Sequence, residues 1–404
     1  MKNNLTKIFA VIVVLNILNL QCLYCATYIY KLNQEAKLQS SVATIAEPSF
    51  NFESEAQVLM EPETGTIIYA HNENEKMLPA SVTKIMTLLL IMEQIDSGLM
   101  TYEDKITCSK NASQMGGSQI WFREGEQLTV DESLKAICVV SANDVTVAMA
   151  EHIGGSEENF VSMMNSKAKE LGMENTNFIN SHGIDAEGHY TSAKDIALMS
   201  RELMVKHPDI LKYTSIWMDT LRDGEFGLSN TNRLIRFYDG GTGLKTGYTS
   251  QALYNLAGTA TRNGTSFISV IMRAPSSDIR LAETKTLLDY GFSNYEVKKV
   301  CSSNVILDEM FINKNVSEKI QTRIKEDIYV LNRRGDKVET IQNITYNDLI
   351  AGIKANDEIG NIEIYNSQTN EKLGESIIIS NNNIEKSKFG DYMKFIFDKL
   401  ILRS

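Results

Sequence analysis

Residues 78–95 read LPASVTKIMTLLLIMEQI. Val82, Ile85, Met86, Leu88, Leu89, Leu90, Ile91 and Met92 fall on nearly every side of a helix over Ser81 to Ile95, so this helix belongs in the centre of a core. On either side of it in the chain the pattern is extended. Gln57 to Met60 and Thr66 to Ala70 read as strands around Pro62-Glu63-Thr64-Gly65, and Leu253 to Thr261 and Ser266 to Met272 read as a hairpin closed by Asn263-Gly264. Between the strands the periodicity is helical. One helix runs from about Val130 to Val140, capped by Thr129 with Glu132 three residues on. Another follows Asn143-Asp144 and stops at Gly154-Gly155, and a third, Glu157 to Leu171, has Ser156 as its cap. Helices enclosed by strands distant in sequence predict an α/β domain with an antiparallel sheet.

After about Tyr295 short β-prone runs take over, such as Asp327 to Val330, Ile362 to Tyr365 and Ile377 to Ile379. They predict a smaller all-β domain over 296–380. Beyond it, Phe389, Tyr392, Met393, Ile396, Phe397 and Leu400 share one face of a terminal amphipathic helix within 384–404. Five basic residues against three acidic ones in the last twenty suit an anionic membrane surface, although the same face suits packing back on the protein. At the other end, Lys2 and Lys7 precede an uncharged, mostly apolar stretch from Ile8 to Tyr30, so 1–45 reads as a signal peptide or signal anchor with a linker. The expected location is therefore outside the cell, at the outer face of the membrane. Cys22 and Cys25 lie in this segment. Cys108, Cys138 and Cys301 have no metal-ligand spacing, and no metal or cofactor is implied. The net charge of −11 has the wrong sign for a phosphate-backbone binder, which excludes nucleic acid as partner.

Serine three residues before lysine on a helix places a hydroxyl and an amine on one face. The pattern occurs at Ser81/Lys84 and Ser166/Lys169. The second pair points away from the buried face set by Phe160, Met164 and Ala168, whereas Ser81 opens the apolar helix, where unpaired N–H groups favour an oxyanion. Ser141-Ala142-Asn143 falls on a helix-to-helix link, and Lys245-Thr246-Gly247 follows a glycine-rich run where a strand should start.

The order and spacing of these motifs resemble the serine penicillin-recognising enzymes. The surrounding residues, Leu78 to Thr87, Asn180-Ser181-His182-Gly183-Ile184 and Asp239 to Thr249, resemble the D-alanyl-D-alanine carboxypeptidases among the low-molecular-weight penicillin-binding proteins. The resemblance covers about Phe52 to Phe292, within a peptidase domain placed at 46–295. It implies a β-lactamase/transpeptidase-like fold and a serine peptidase removing the terminal D-alanine from peptidoglycan pentapeptide stems, with β-lactam antibiotics binding covalently. It further implies Ser81 as nucleophile, Lys84 as base, Ser141 as proton relay, and Asn143 orienting Lys84 and the substrate amide. Lys245 and Thr246 would hold the substrate carboxylate, Gly247 would let the substrate backbone approach, and the N–H groups of Ser81 and Tyr248 would bind the oxyanion. Lowering a lysine to pKa ~7 to 8 takes burial beside a second cation, for which Lys245 is the candidate.

His182 and His189 read as hydrogen-bonded structural residues. Arg280 is either near the carboxylate subsite or in a surface salt bridge. A class A β-lactamase is disfavoured because no glutamate from Glu151 to Glu187 has asparagine four positions on. An inactive cell-wall-binding scaffold of the same fold is disfavoured by the intact motifs.

Overall fold

The computed structural model describes residues 49–401 apart from 314 and 317, with the backbone alone from residue 398. The segment 1–45, with Cys22 and Cys25, lies outside the described residues, as does the Leu400 side chain. Strands β1 (Ala56–Glu61) and β2 (Thr66–His71) form a hairpin whose turn is held by Glu61, accepting from the Glu63 and Thr64 amides at 2.8 Å each. A 3₁₀ turn, Ala80–Thr83, leads into α1 (Lys84–Asp96), buried on all sides from Lys84 to Met92. The helical region continues through β3 (Lys105–Thr107), α2 (Lys110–Ser113), β4 (Gln127–Thr129), α3 (Val130–Val139), α4 (Asn143–Gly154), α5 (Glu157–Glu170) and α6 (Ala193–Lys206). Thr129 and Glu132 make the expected capping box on α3. Then come α7 (Leu211–Thr214), the hairpin β5 (Met218–Leu221) with β6 (Phe226–Ser229), and α8 (Leu234–Phe237).

Strands β7 (Gly241–Thr249), β8 (Leu253–Arg262) and β9 (Thr265–Ala274) complete an antiparallel sheet in the order β2-β1-β9-β8-β7, and α9 (Ser277–Asn294) follows. Asn263 and Gly264 close the β8–β9 hairpin with φ of 51° and 78°, as a primed turn requires. Both faces of the sheet are covered. Val58, Met60, Ile268, Val270 and Met272 join the core of α1 and its neighbouring helices. Leu59, Phe267 and Ile271 pack instead with Leu287, Leu288 and Phe292 of α9. The period-two alternation of β1 and β9 makes this two-sided burial possible.

Strand β7 differs from the expectation in starting at Gly241 rather than near Lys245. Two of the preceding glycines lie inside the strand, where close packing requires them. A Cβ on Gly241 would lie 2.8 Å from Leu234 O, and one on Gly243 would lie 2.8 Å from Thr214 Oγ1.

The C-terminal region is all β. It holds β10 (Tyr295–Cys301), β11 (Asp308–Met310), β12 (Ile320–Ile324), β13 (Ile328–Arg333), β14 (Thr340–Tyr346), β15 (Glu358–Asn366) and β16 (Lys372–Ser380). One sheet runs β11-β12-β16-β15-β14, and β10 pairs with β13. The core between them is rich in isoleucine: Ile320, Ile324, Ile362, Ile364 and Ile378. The terminal helix α10 (Phe389–Ile401) starts five residues later than 384. Ile384 is 1% exposed and bridges Ile353, and Asn315 Nδ2 donates to Glu385 O, so residues 384–387 belong to the β packing. On α10, Phe389, Met393, Ile396 and Phe397 are exposed. Among the described residues no helix is long and apolar enough to cross a membrane.

Candidate active site

Pro79, with φ of −77°, and Ala80, with φ of +50°, turn the chain sharply before α1. Ser81 therefore sits in a 3₁₀ turn ahead of the helix rather than in its first α-helical turn. Lys84 is fully buried, and its Nζ lies 3.1 Å from Ser81 Oγ, 2.6 Å from Asn143 Oδ1 and 2.7 Å from His182 O. The Asn143 and His182 oxygens can only accept here, while the serine hydroxyl can donate. A neutral amine has two N–H donors and one lone pair, which matches that set. Burial, reinforced by the positive charge of Lys245 and opposed by Asp144, holds the Lys84 amine well below its usual pKa.

Ser141 and Ala142 link α3 to α4. Ser141 has φ of +62°, an uncommon conformation for a residue with a Cβ, and its buried Oγ has no hydrogen-bond partner among the described residues. Asn143 opens α4 and faces the segment 116–122. Its N donates to Ser118 O at 2.7 Å and its Nδ2 to Gly116 O at 2.7 Å, so one of the two amide hydrogens is already engaged. Next to it, Asp144 is 1% exposed and accepts from the Ile120 and Phe122 amides at 3.1 and 2.9 Å. Nothing in the local sequence pattern marked 116–122 as a wall of the site.

Lys245 is 1% exposed, donates from Nζ to Thr246 O at 3.0 Å, and is lowered to about 7 by burial, with Arg280 adding to the shift and Cys138 opposing it. Thr246 pairs through its hydroxyl with Thr231, 2.7 Å away. Gly247 is also required by packing. A Cβ there would lie 2.7 Å from Pro79 O and 3.1 Å from Val82 N, so the strand abuts the serine turn itself. Tyr248 is half exposed, with its ring 4.4 Å from that of Tyr254.

Arg280 is no surface residue. It is 7% exposed, makes no carboxylate ion pair among the described residues, and reaches from α9 to Gly247 O at 3.4 Å and Asn255 O at 3.2 Å. Burial lowers it to about 10. Lys245 and Arg280 thus concentrate buried positive charge, while the nearby Asp144 carboxylate is occupied by backbone amides. Such a pocket favours an anion.

His182 and His189 are both buried. His189 Nδ1 accepts from Ile179 N at 3.0 Å, which leaves Nε2–H to donate to Thr83 Oγ1 at 2.9 Å. Burial lowers His189 to about 4, and burial with the Lys84 charge lowers His182 to about 3. The loop carrying His182 rests directly on the serine turn: Gly183, at φ +89°, has Ala80 O where a Cβ would stand. Sequence reasoning missed Asn255, whose Nδ2 holds Leu78 O and Pro79 O at 2.9 and 3.1 Å. Its one signal was an asparagine inside the apolar run of β8. Ser166 and Lys169 are exposed on α5, and no group of three or more potential ligands among the described residues could hold a metal.

A profile described as D-alanyl-D-alanine carboxypeptidase matches residues 41–276, and one for the C-terminal domain of penicillin-binding protein 5 matches 295–386. The chain is 41% identical over 347 residues to the D-alanyl-D-alanine carboxypeptidase DacF of Bacillus subtilis, covering 85% of this chain and 88% of that protein. Among solved structures it is similar to penicillin-binding protein 5 from Haemophilus influenzae, with 28% identity and a TM-score of 0.70 over 84% of this chain and 99% of that one. It is also similar to penicillin-binding protein D2 from Listeria monocytogenes in an ampicillin-bound form, with 30% identity and a TM-score of 0.56 over 61% of this chain and 100% of that one.

Proposed function

Because the chain belongs to the D-alanyl-D-alanine carboxypeptidase family and is a serine-type D-Ala-D-Ala carboxypeptidase, we propose that Ser81 is its nucleophile and Lys84 its base. The observation that carries this assignment is the buried amine 3.1 Å from Ser81 Oγ, with two acceptors for its N–H groups and a depressed pKa. As Ser81 Oγ attacks the penultimate carbonyl carbon, its proton passes to Lys84 Nζ. The oxyanion is received by the N–H groups of Ser81 and Tyr248, each donor contributing about 2.7 to 4 kcal/mol. The C–N bond then breaks. Ser141 relays a proton from Lys84 to the departing D-alanine nitrogen, and the otherwise unpartnered Ser141 Oγ supports that role. Water, deprotonated by the same amine, cleaves the Ser81 ester and restores the enzyme. Asn143 orients Lys84, while Lys245 and Thr246, backed by Thr231 and Arg280, hold the terminal carboxylate.

The substrate proposed is the peptidoglycan pentapeptide stem ending in D-Ala-D-Ala, and β-lactams should acylate Ser81 as the ampicillin-bound relative suggests. The peptidase unit is assigned to 46–295 and the β unit to 296–380, extended to 387 by the packing of Ile384. Enzymes on this substrate act outside the cytoplasm. The uncovered apolar side of α10 supports attachment there, on the outer face of the membrane.

Intact-mass analysis after adding penicillin, with the modified residue mapped, tests the nucleophile. One adduct on Ser81 and none in Ser81→Ala is expected, together with D-alanine release from a pentapeptide by the wild type. An adduct that persists in the variant would place the nucleophile elsewhere.

A further inference from the structure

Trp121 is 64% exposed, yet everything around its backbone is fixed. The flanking amides of Ile120 and Phe122 donate to the buried Asp144 carboxylate on one side. On the other, Arg222 donates to Ile120 O at 3.0 Å and Trp121 O at 3.4 Å while held by Glu126 at 2.7 Å. Trp121 itself takes φ of +55°, a conformation that costs a bulky residue energy. Its ring stands edge to face with Phe226 at 5.8 Å, and the Arg222 guanidinium lies over Phe226 at 5.4 Å. The two segments therefore clamp a strained backbone so that a large indole points into solvent. Burying that indole would have been the default for the fold.

The position is close to the chemistry. Ser118 O binds the Asn143 amide, and Trp121 is three residues on, which at no more than about 3.6 Å per residue sets its Cα within about 11 Å of Ser118. Resting on the carboxypeptidase reading above, the stem peptide that reaches Ser81 hangs from a sugar chain. Four extended residues between scissile bond and sugar span about 14 Å. A saccharide is thus brought to the rim of the cleft whenever the peptide is bound. A pyranose ring presents a face of C–H bonds that packs on an aromatic plane, and a rigid indole loses little freedom in binding it.

We propose that Trp121 is a stacking platform for a pyranose ring of the glycan strand, so that the enzyme prefers stems still attached to their sugar. The test compares kcat/KM for D-alanine release from disaccharide-pentapeptide and from the same pentapeptide without sugar. In the wild type the ratio is expected to be about 5, the size of one aromatic stacking contact. In Trp121→Ala it is expected to fall to about 1, with Trp121→Phe between the two. The chain has two tryptophans, so in Trp217→Phe the remaining indole reports alone. Its emission should shift on adding the sugar-linked stem and stay constant with the free peptide. A wild-type ratio near 1, or a ratio unaltered in Trp121→Ala, overturns the proposal; the latter places the indole against the peptide or away from substrate. Should neither peptide turn over, the assignment of Ser81 chemistry fails, and the emission titration still decides the sugar contact.

Discussion

Replacing Gly247 by alanine adds a carbon 2.7 Å from Pro79 O and 3.1 Å from Val82 N. A carbon and a carbonyl oxygen rest at about 3.3 Å, so strand and serine turn must part by about 0.6 Å. The atoms that would give way are backbone, and Asn255 and Gly183 brace the turn from other sides, so the shift cannot be absorbed by a side chain. Overpacking of this kind destabilises by about 1 to 2 kcal/mol. The effect on chemistry is larger, because Ser81 is carried on the displaced turn while Lys84 is anchored through Asn143 and His182. If a 1 Å misplacement costs about 100-fold, 0.6 Å costs about 16-fold, or about 1.6 kcal/mol of barrier. The assay is the second-order rate of acylation by a fluorescent penicillin, with thermal melting to establish that the variant is folded. Acylation within twofold of wild type in a folded variant would refute the argument. A loss confined to peptide substrates, with penicillin acylation intact, would instead return Gly247 to the expected role of clearing the strand edge for the substrate backbone.

Lys84 accepts a proton only when neutral, so acylation should rise with pH through its lowered pKa; Lys245→Met removes a neighbouring positive charge, raises that pKa and moves the acid limb to higher pH, and an unmoved limb counts against the coupling. Lys245 loses its own charge near 7, so kcat/KM for peptides with a free carboxylate should decline above that pH while amidated peptides do not follow; parallel profiles would remove Lys245 from carboxylate binding. Asn143→Ala takes away an acceptor 2.6 Å from Lys84 Nζ and should slow acylation by about 10- to 100-fold, read from the penicillin labelling rate. Truncation before Phe389 spares Ile384 in the β core and should abolish binding of the residue 46–404 ectodomain to anionic liposomes without lowering its melting temperature; retained binding would assign the membrane contact elsewhere.

Features encoded over a few neighbouring residues were legible in the sequence. The all-round apolar run from Ile85 to Met92, the Thr129/Glu132 box and the Asn263-Gly264 turn each carry their geometry in adjacent positions. Ser81 and Lys84 share a helical spacing and were visible for the same reason. Contacts created by the tertiary fold were hidden. Asn255 reaches Pro79 across 176 residues, and Arg280 comes under Gly247 because α9 packs on β9 and β8, next to that strand in the sheet. The close packing at glycines 183, 241, 243 and 247 was hidden for the same reason, since the sequence contains no sign of the distant atoms that occupy their missing Cβ positions.

The two amines sealed beside Ser81 also bear on how firmly the molecule holds together. In an unfolded chain a lysine keeps its proton up to about pH 10.4, whereas folding lowers Lys245 to about 7 and Lys84 well below its usual value. Between each folded pKa and the unfolded one, the unfolded chain binds more protons, so stability climbs with pH through that window and is lowest beneath it. In neutral and acidic surroundings the proposed catalytic centre is therefore a weak point of the native state, offset by the aliphatic mass of α1 and β9 packed around it. Methionine at both positions would give a sturdier chain and, on the roles proposed for Lys84 and Lys245, one with no chemistry, which makes conformational resilience and turnover competing demands on the same two side chains.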